Sequence, residues 1–126
     1  MIAVDTSSWI AFLEGTEGTD AALVEHALAD RQVCLLPVVL TELLSDPALP
    51  TRVRSLLLQL PRLEVLEGYW ERAGILRARV LGARRRARLA DTLIAQCCLD
   101  HDVALVTRDT DFRHFARLGG LRLVMP

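Results

Sequence analysis

Five acids lie inside apolar stretches or shortly after apolar runs. Asp5 ends the apolar run Met1-Ile-Ala-Val4. Glu42 interrupts Val38-Val39-Leu40-Thr41-Glu42-Leu43-Leu44, and Asp91 interrupts Leu89-Ala90-Asp91-Thr92-Leu93-Ile94-Ala95. Asp109 and Asp111 follow Val103-Ala104-Leu105-Val106 by a few residues. Each has an ordinary structural reading. Asp5 could cap a helix, although Ser7 or Ser8 can do that, and Asp91 could be a first-turn acid favoured by the helix dipole. Asp109 and Asp111 could be turn residues. Converging on one edge, they become something else. Two carboxylates about 4 Å apart repel by about 4 kcal/mol at an effective dielectric near 20. Such a group takes up protons or recruits a cation. Oxygen-only donors select Mg2+ or Mn2+ over zinc. The chemistry that follows is metal-assisted hydrolysis of a phosphodiester. No Ser–His or Cys–His arrangement competes with this, and His26, His101 and His114 receive no catalytic role.

Positioning these acids takes alternating strands and helices. Met1–Val4 reads as a buried strand, and Thr6-Ser7-Ser8 supplies cap hydroxyls for a helix through Leu13. Helical spacing covers Thr19 to Asp30. Val33–Leu36 is a second strand, and Pro37 suits the first turn of a helix over Val38 to Ser45. A helix from Thr51 to Leu60 stops at Pro61. Leu63–Leu66 reads as a strand. A long helical stretch runs from Tyr69 into an arginine cluster, with Gly74 and Gly82 as weak points. Leu89 to Asp100 is a helix, Val103–Val106 a strand, and Asp109 to Leu118 a loop and short helix. Gly119-Gly120 turns into a last strand, Leu121 to Met125. Four-residue apolar strands are what a parallel sheet buried on both faces requires. The expected class is α/β, with five parallel strands, right-handed crossovers and ligands at the strands' carboxyl ends.

Composition narrows the chemistry. The 126 residues contain no lysine, and all 15 basic side chains are arginine. A Walker A loop, a Schiff-base enzyme and a receiver-type phosphorylation site all lack the lysine they use. Length predicts one domain spanning residues 1–126. No apolar run approaches the ~20 residues that span a bilayer. The N-terminus carries Asp5 and no basic stretch, unlike a signal peptide. With three cysteines in no zinc or disulfide spacing, this predicts a cytoplasmic protein with buried thiols. The formal net charge of -1 hides an asymmetry. Arg72, Arg77, Arg79, Arg84, Arg85, Arg86 and Arg88 fall in a segment without an acid, which leaves eight arginines against 16 acids elsewhere. A solvated helix face is one reading. A surface for phosphates or for an acidic partner is the other, since arginine forks suit phosphate.

Val4-Asp5-Thr6-Ser7, Glu42 after a Pro-opened helix, Ala90-Asp91-Thr92-Leu93-Ile94-Ala95 and Leu105-Val106-Thr107-Arg108-Asp109-Thr110-Asp111-Phe112 resemble PIN-domain ribonucleases. Length and order are most similar to the VapC-type toxins of bacterial toxin–antitoxin pairs. The resemblance covers essentially the whole chain, but Pro47 to Arg88 matches only in general character. It implies an α/β/α sandwich with a five-stranded parallel sheet, and Mg2+- or Mn2+-dependent endonucleolytic cleavage of RNA. By position it implies catalytic acids Asp5, Glu42, Asp91 and Asp109, with Asp111 a fifth. Asp5, Asp91 and Asp109 become metal ligands, and Ser7 and Thr107 orient the acids, with Thr6 a weaker candidate. It further implies a homodimer and a cognate antitoxin that inserts a segment into the acidic groove. Arg79, Arg84, Arg85, Arg86, Arg88 and Arg108 are then candidates to hold RNA phosphates. Aromatics are only 5%, so Trp9, Tyr69 and Trp70 are assigned to core or interface rather than to base stacking. Two other functions fit the same residues. One is a housekeeping nuclease acting on ribosomal RNA or structured DNA, and the other is a binding module that uses a metal for stability alone.

Overall fold

Three apolar runs pair as parallel strands. The computed structural model describes residues 1–124. Strand β1 (Ile2–Val4) lies between β2 (Val33–Cys34) and β3 (Ala104–Val106). Ile2 is in register with Val33 and Ala104, and Val4 with Val106. Ala3, Val4, Leu105 and Val106 are buried, as continuous apolar strands in a two-sided parallel sheet should be.

Between the strands run α1 (Thr6–Leu13), α2 (Thr19–Ala29), α3 (Pro37–Leu44), α4 (Thr51–Gln59), α5 (Tyr69–Gly82) and α6 (Leu89–His101). α7 (Phe112–Gly119) follows β3. The chain steps one way from β1 to β2, and back past β1 from β2 to β3. Right-handed crossovers therefore send α1–α2 and α3–α6 to opposite faces. Trp9, Phe112, Phe115, Leu35, Leu36, Leu57 and Ile94 fill a core continuous with the strands.

The expected five-stranded sheet is corrected to three strands. Leu63–Leu66 does not form a strand. That segment makes a single bridge, Arg62 with Leu35, through Leu35 N–H to Pro61 O at 2.7 Å and Leu63 N–H to Leu35 O at 3.0 Å. Pro61 has no N–H to extend the ladder, and Val65 and Leu66 are exposed rather than buried on two faces. The last expected strand also shrinks to one bridge, Leu123 with Leu105. Met125, its expected end, lies outside the described residues. The second strand is shorter than expected too, because Leu36 already caps α3 and Pro37 opens that helix. The two bridges sit at the sheet's two edges, one beside β2 and one beside β3.

The cap of α1 also differs. Asp5, not a hydroxyl, is the cap residue, and its carboxylate accepts from Thr6 N–H at 2.8 Å. Of the aromatics expected in core or interface, Trp9 and Tyr69 are buried in the core and Trp70 is exposed. All three cysteines are free and buried. At the end of α6, Asp102 takes a left-handed φ of 51°, and Arg122 holds both its carbonyl and its carboxylate. No helix among the described residues is long and apolar enough to cross a membrane.

Leu105 is fully buried at the strand that carries both flanking pairings. Leu105→Ala should cost about 2–5 kcal/mol in urea unfolding. A cost below about 1 kcal/mol would contradict a load centred on β3.

Candidate active site

The strand order reverses between β1 and β3, so α1 leaves β1 on one side and α7 leaves β3 on the other. In open α/β sheets that reversal opens a crevice at the strands' carboxyl ends. Asp5 follows β1 there, and Thr107 to Asp111 follow β3. α6 runs back into β3, so its first turn, with Asp91, returns to the same edge. α3 starts at that edge from β2 and carries Glu42 in its second turn.

Asp5 is the fixed point. It is buried, and it accepts three hydrogen bonds, all at 2.8 Å: Thr6 N–H to Oδ1, and the Ser7 and Thr107 hydroxyls to Oδ2. Burial raises its pKa above the ordinary value; the three bonds oppose that rise, and repulsion from Asp109 adds to it. Thr107 also accepts from Asp109 N–H at 3.0 Å, and Asp109 Oδ1 accepts from Asp111 N–H at 2.9 Å. One hydroxyl thus couples the ends of β1 and β3 and shapes the loop that presents Asp109. The Thr6 hydroxyl reaches across to Glu42 Oε1 at 2.7 Å. The expected orienting residues Ser7 and Thr107 both contact Asp5, and Thr6 ties Glu42 to the start of α1.

Asp91 registers the crowding. Burial first, then repulsion from Asp5 and Asp109, with Glu42 contributing less, pushes its pKa up to about 6; Arg88 opposes them. Asp5, Asp91, Asp109 and Glu42 therefore share one field. Asp111 stands at the margin, 3.8 Å from Arg86. All the donors are oxygen, which suits a hard cation. Among the described residues, no three His, Cys, Asp or Glu side chains form a ready metal cage. The donor chemistry of Asp5, Asp91 and Asp109, all carboxylate oxygen, would suit a divalent ion.

The arginines divide. Arg86 and Arg88 lie beside Asp111 and Asp91, and Arg84 and Arg85 are exposed in the same turn. Arg79 is directed elsewhere, to the carbonyl of Leu118 on α7 at 3.2 Å. Arg108 is occupied by Asp20, with Nε and Nη2 each 2.8 Å from a carboxylate oxygen. Asp20 is buried, also accepts from Ser8 at 2.8 Å, and is pushed down to about 2, chiefly by Arg108. Sequence reasoning missed this bridge. Asp20 looks like an ordinary first-turn acid of α2, and its partner is 88 positions away. A cavity of about 470 Å³ opens between this bridge and Asp109, lined by Thr19, Thr110 and Arg113 among others.

Comparison with known proteins gives the family and the fold. The sequence profile of the PIN domain matches residues 2–118. The chain belongs to the PIN domain family. Ribonuclease VapC11 of Mycobacterium tuberculosis is 30% identical over 129 residues, covering 97% of this chain and 96% of that protein. The structure of VapBC2 from Rickettsia felis, bound to a DNA fragment from its promoter, superposes with a TM-score of 0.76. Its identity is 19%, with 98% of each chain covered. A toxin–antitoxin complex from Klebsiella pneumoniae gives a TM-score of 0.71 at 21% identity, over 100% of this chain and 98% of that one.

The raised pKa of Asp91 makes a stability prediction. Between its ordinary 3.8 and about 6, the folded state binds more protons than the unfolded state. Stability therefore falls as pH rises through that window and levels off above it. In EDTA at pH 7.5, Asp91→Asn should raise the melting temperature by a few degrees. That is about 1 kcal/mol once solvent screening is discounted. The difference should vanish towards pH 4. A variant less stable than wild type at pH 7.5 would contradict the crowding.

Proposed function

We propose that this chain cleaves RNA internally, as the toxin of a toxin–antitoxin pair, with Mg2+ or Mn2+ bound by Asp5, Asp91 and Asp109. The observation that carries the reading is the set of mutually repelling carboxylates at the sheet's reversal, with Asp5 held by three donors. Ribonuclease relatives aligned along nearly the whole chain support the reaction class. The toxin–antitoxin complex among the fold neighbours supports an antitoxin as partner. A cavity of about 250 Å³ next to Glu42, with Ile10, Leu13, Leu43 and Val53 beside Glu14, Asp46 and Arg52 in its lining, supports docking of an inhibitory segment beside the acids. We read residues 1–126 as one catalytic domain, acting in the cytoplasm and pairing as a homodimer.

The chain's own groups have distinct tasks. Asp5 offers a carboxylate whose direction Ser7, Thr107 and the Thr6 amide fix in advance. Thr107 passes that order on to Asp109. Asp91 would hold the ion as a carboxylate, so that losing its proton would couple metal affinity to pH. Glu42 and Asp111 flank the three at the groove's margins. When bound, the ion lowers the pKa of a water and offsets the charge that builds on the phosphodiester. Arg86 and Arg88, with Arg84 and Arg85, lie where phosphates on either side of the cut bond would pass.

Asp5→Asn should lower RNA cleavage in Mg2+ by about a hundredfold or more, with the circular dichroism spectrum unchanged. Cleavage at the wild-type rate, or cleavage that persists in EDTA, would overturn the reading. Arg84→Ala/Arg86→Ala should weaken RNA binding. It should also flatten the slope of log affinity against log salt by about 1.4, at about 0.7 per lost contact to a single strand. An unchanged slope would remove these arginines from the RNA path.

A further inference from the structure

Two consecutive residues of α1 and two consecutive residues after β3 are joined through two buried carboxylates. Ser7 and Thr107 both donate to Asp5. One step further along each segment, Ser8 donates to Asp20 Oδ2 at 2.8 Å, and Arg108 grips Asp20 with Nε and Nη2, each at 2.8 Å. Ser8 and Asp20 are buried, and Asp20 stands in the first turn of α2. The first rung of this ladder carries an acid of the candidate site. The second carries none of them, yet it joins a carboxylate to a guanidinium fork by two bonds at once, the most directional pairing arginine makes.

The surroundings are shaped to this second rung. Gly18 caps α2, and a Cβ added there would lie 2.6 Å from Asp20 Oδ1 and 3.0 Å from Arg108 Nη2. Both atoms are held by their own bonds, so neither can give way without opening the fork. Burying the Asp20 carboxylate costs desolvation, which offsets much of the attraction, so stability alone is a weak account of the pair. Its place in the chain supplies a better one. Arg108 lies between Asp109 and Thr107, whose hydroxyl accepts from Asp109 N–H at 3.0 Å. Tied at Thr107 alone, the chain entering Asp109 could still turn about that one point. Anchoring the next residue to a different helix removes that freedom.

We propose that Asp20 and Arg108 are positioning residues, whose bridge fixes the backbone that presents Asp109 to a bound cation. The proposal rests on the reading of Asp109 as a metal ligand. Neither residue touches the ion or the substrate; both act through Asp109.

Two measurements on the full chain test it. Asp20→Asn/Arg108→Met removes the bridge at constant net charge, and Gly18→Ala keeps both charges while forcing the pair apart. In EDTA, the Asp109 amide of both variants should exchange its hydrogen about tenfold faster than in wild type, read by nuclear magnetic resonance, while the Leu105 amide in β3 keeps its rate. In isothermal titration at pH 7.5, both should bind Mn2+ about tenfold more weakly, as expected when a group that orients a metal ligand is lost. The circular dichroism spectrum should not change. Unaltered exchange at Asp109 in both variants would overturn the proposal, even if their melting temperatures fell. Faster exchange with wild-type Mn2+ affinity would overturn the bridge's part in metal binding. A wild type that binds no Mn2+ would instead overturn the metal reading of the site, and the exchange rates would still decide whether the bridge holds Asp109.

Discussion

A buried carboxylate persists only where neighbouring groups answer its charge, and the arrangement around Asp5 follows from that constraint. Three hydrogen bonds stabilise its ionised form against burial. They come from the two segments that the sheet's reversal brings together, the start of α1 and the end of β3. The bonds that favour the ionised form of Asp5 therefore also join the walls of the crevice. With Asp5 secured, Asp109 and Asp91 are brought into its field, and Asp91 takes the strain as a pKa of about 6. A site assembled this way is short of positive charge and built of oxygen, which defines what it takes up.

The arginines show the same economy of placement. Each cation on α5 is tied to a nearby carbonyl or carboxylate, and Arg108 is spent on Asp20. The basic residues left beside the acids are those of the turn between α5 and α6 and the first residue before α6. The acidic site and the basic rim are thus contiguous, in touch through the long contact of Arg86 with Asp111 and the charge of Arg88 near Asp91.

Much of the site was legible because its residues violate local expectation. Glu42 and Asp91 interrupt apolar helices, and Asp5 ends an apolar strand. Those violations needed only strand order to become a cluster. The three central strands were legible for the converse reason: each is a continuous apolar run. The outer two were not, because Leu63–Leu66 and Leu121–Met125 have strand-like composition, while the described structure gives each one bridge. Composition cannot report that Pro61 withholds an N–H or that Val65 and Leu66 face outward. The Asp20–Arg108 bridge was invisible for a different reason. Ion pairs distant in sequence leave no periodic trace, and Arg108 beside Asp109 looked like a phosphate ligand.

Carboxylates crowded in this way would hold a divalent cation only by giving up a proton. Isothermal titration with Mn2+ at pH 6, in two buffers of different ionisation enthalpy, measures this directly. With Asp91 titrating at about 6, binding should release about half a proton per ion, and the release should fall towards zero at pH 8. Binding with no proton release at pH 6, or no binding at all, would contradict the account.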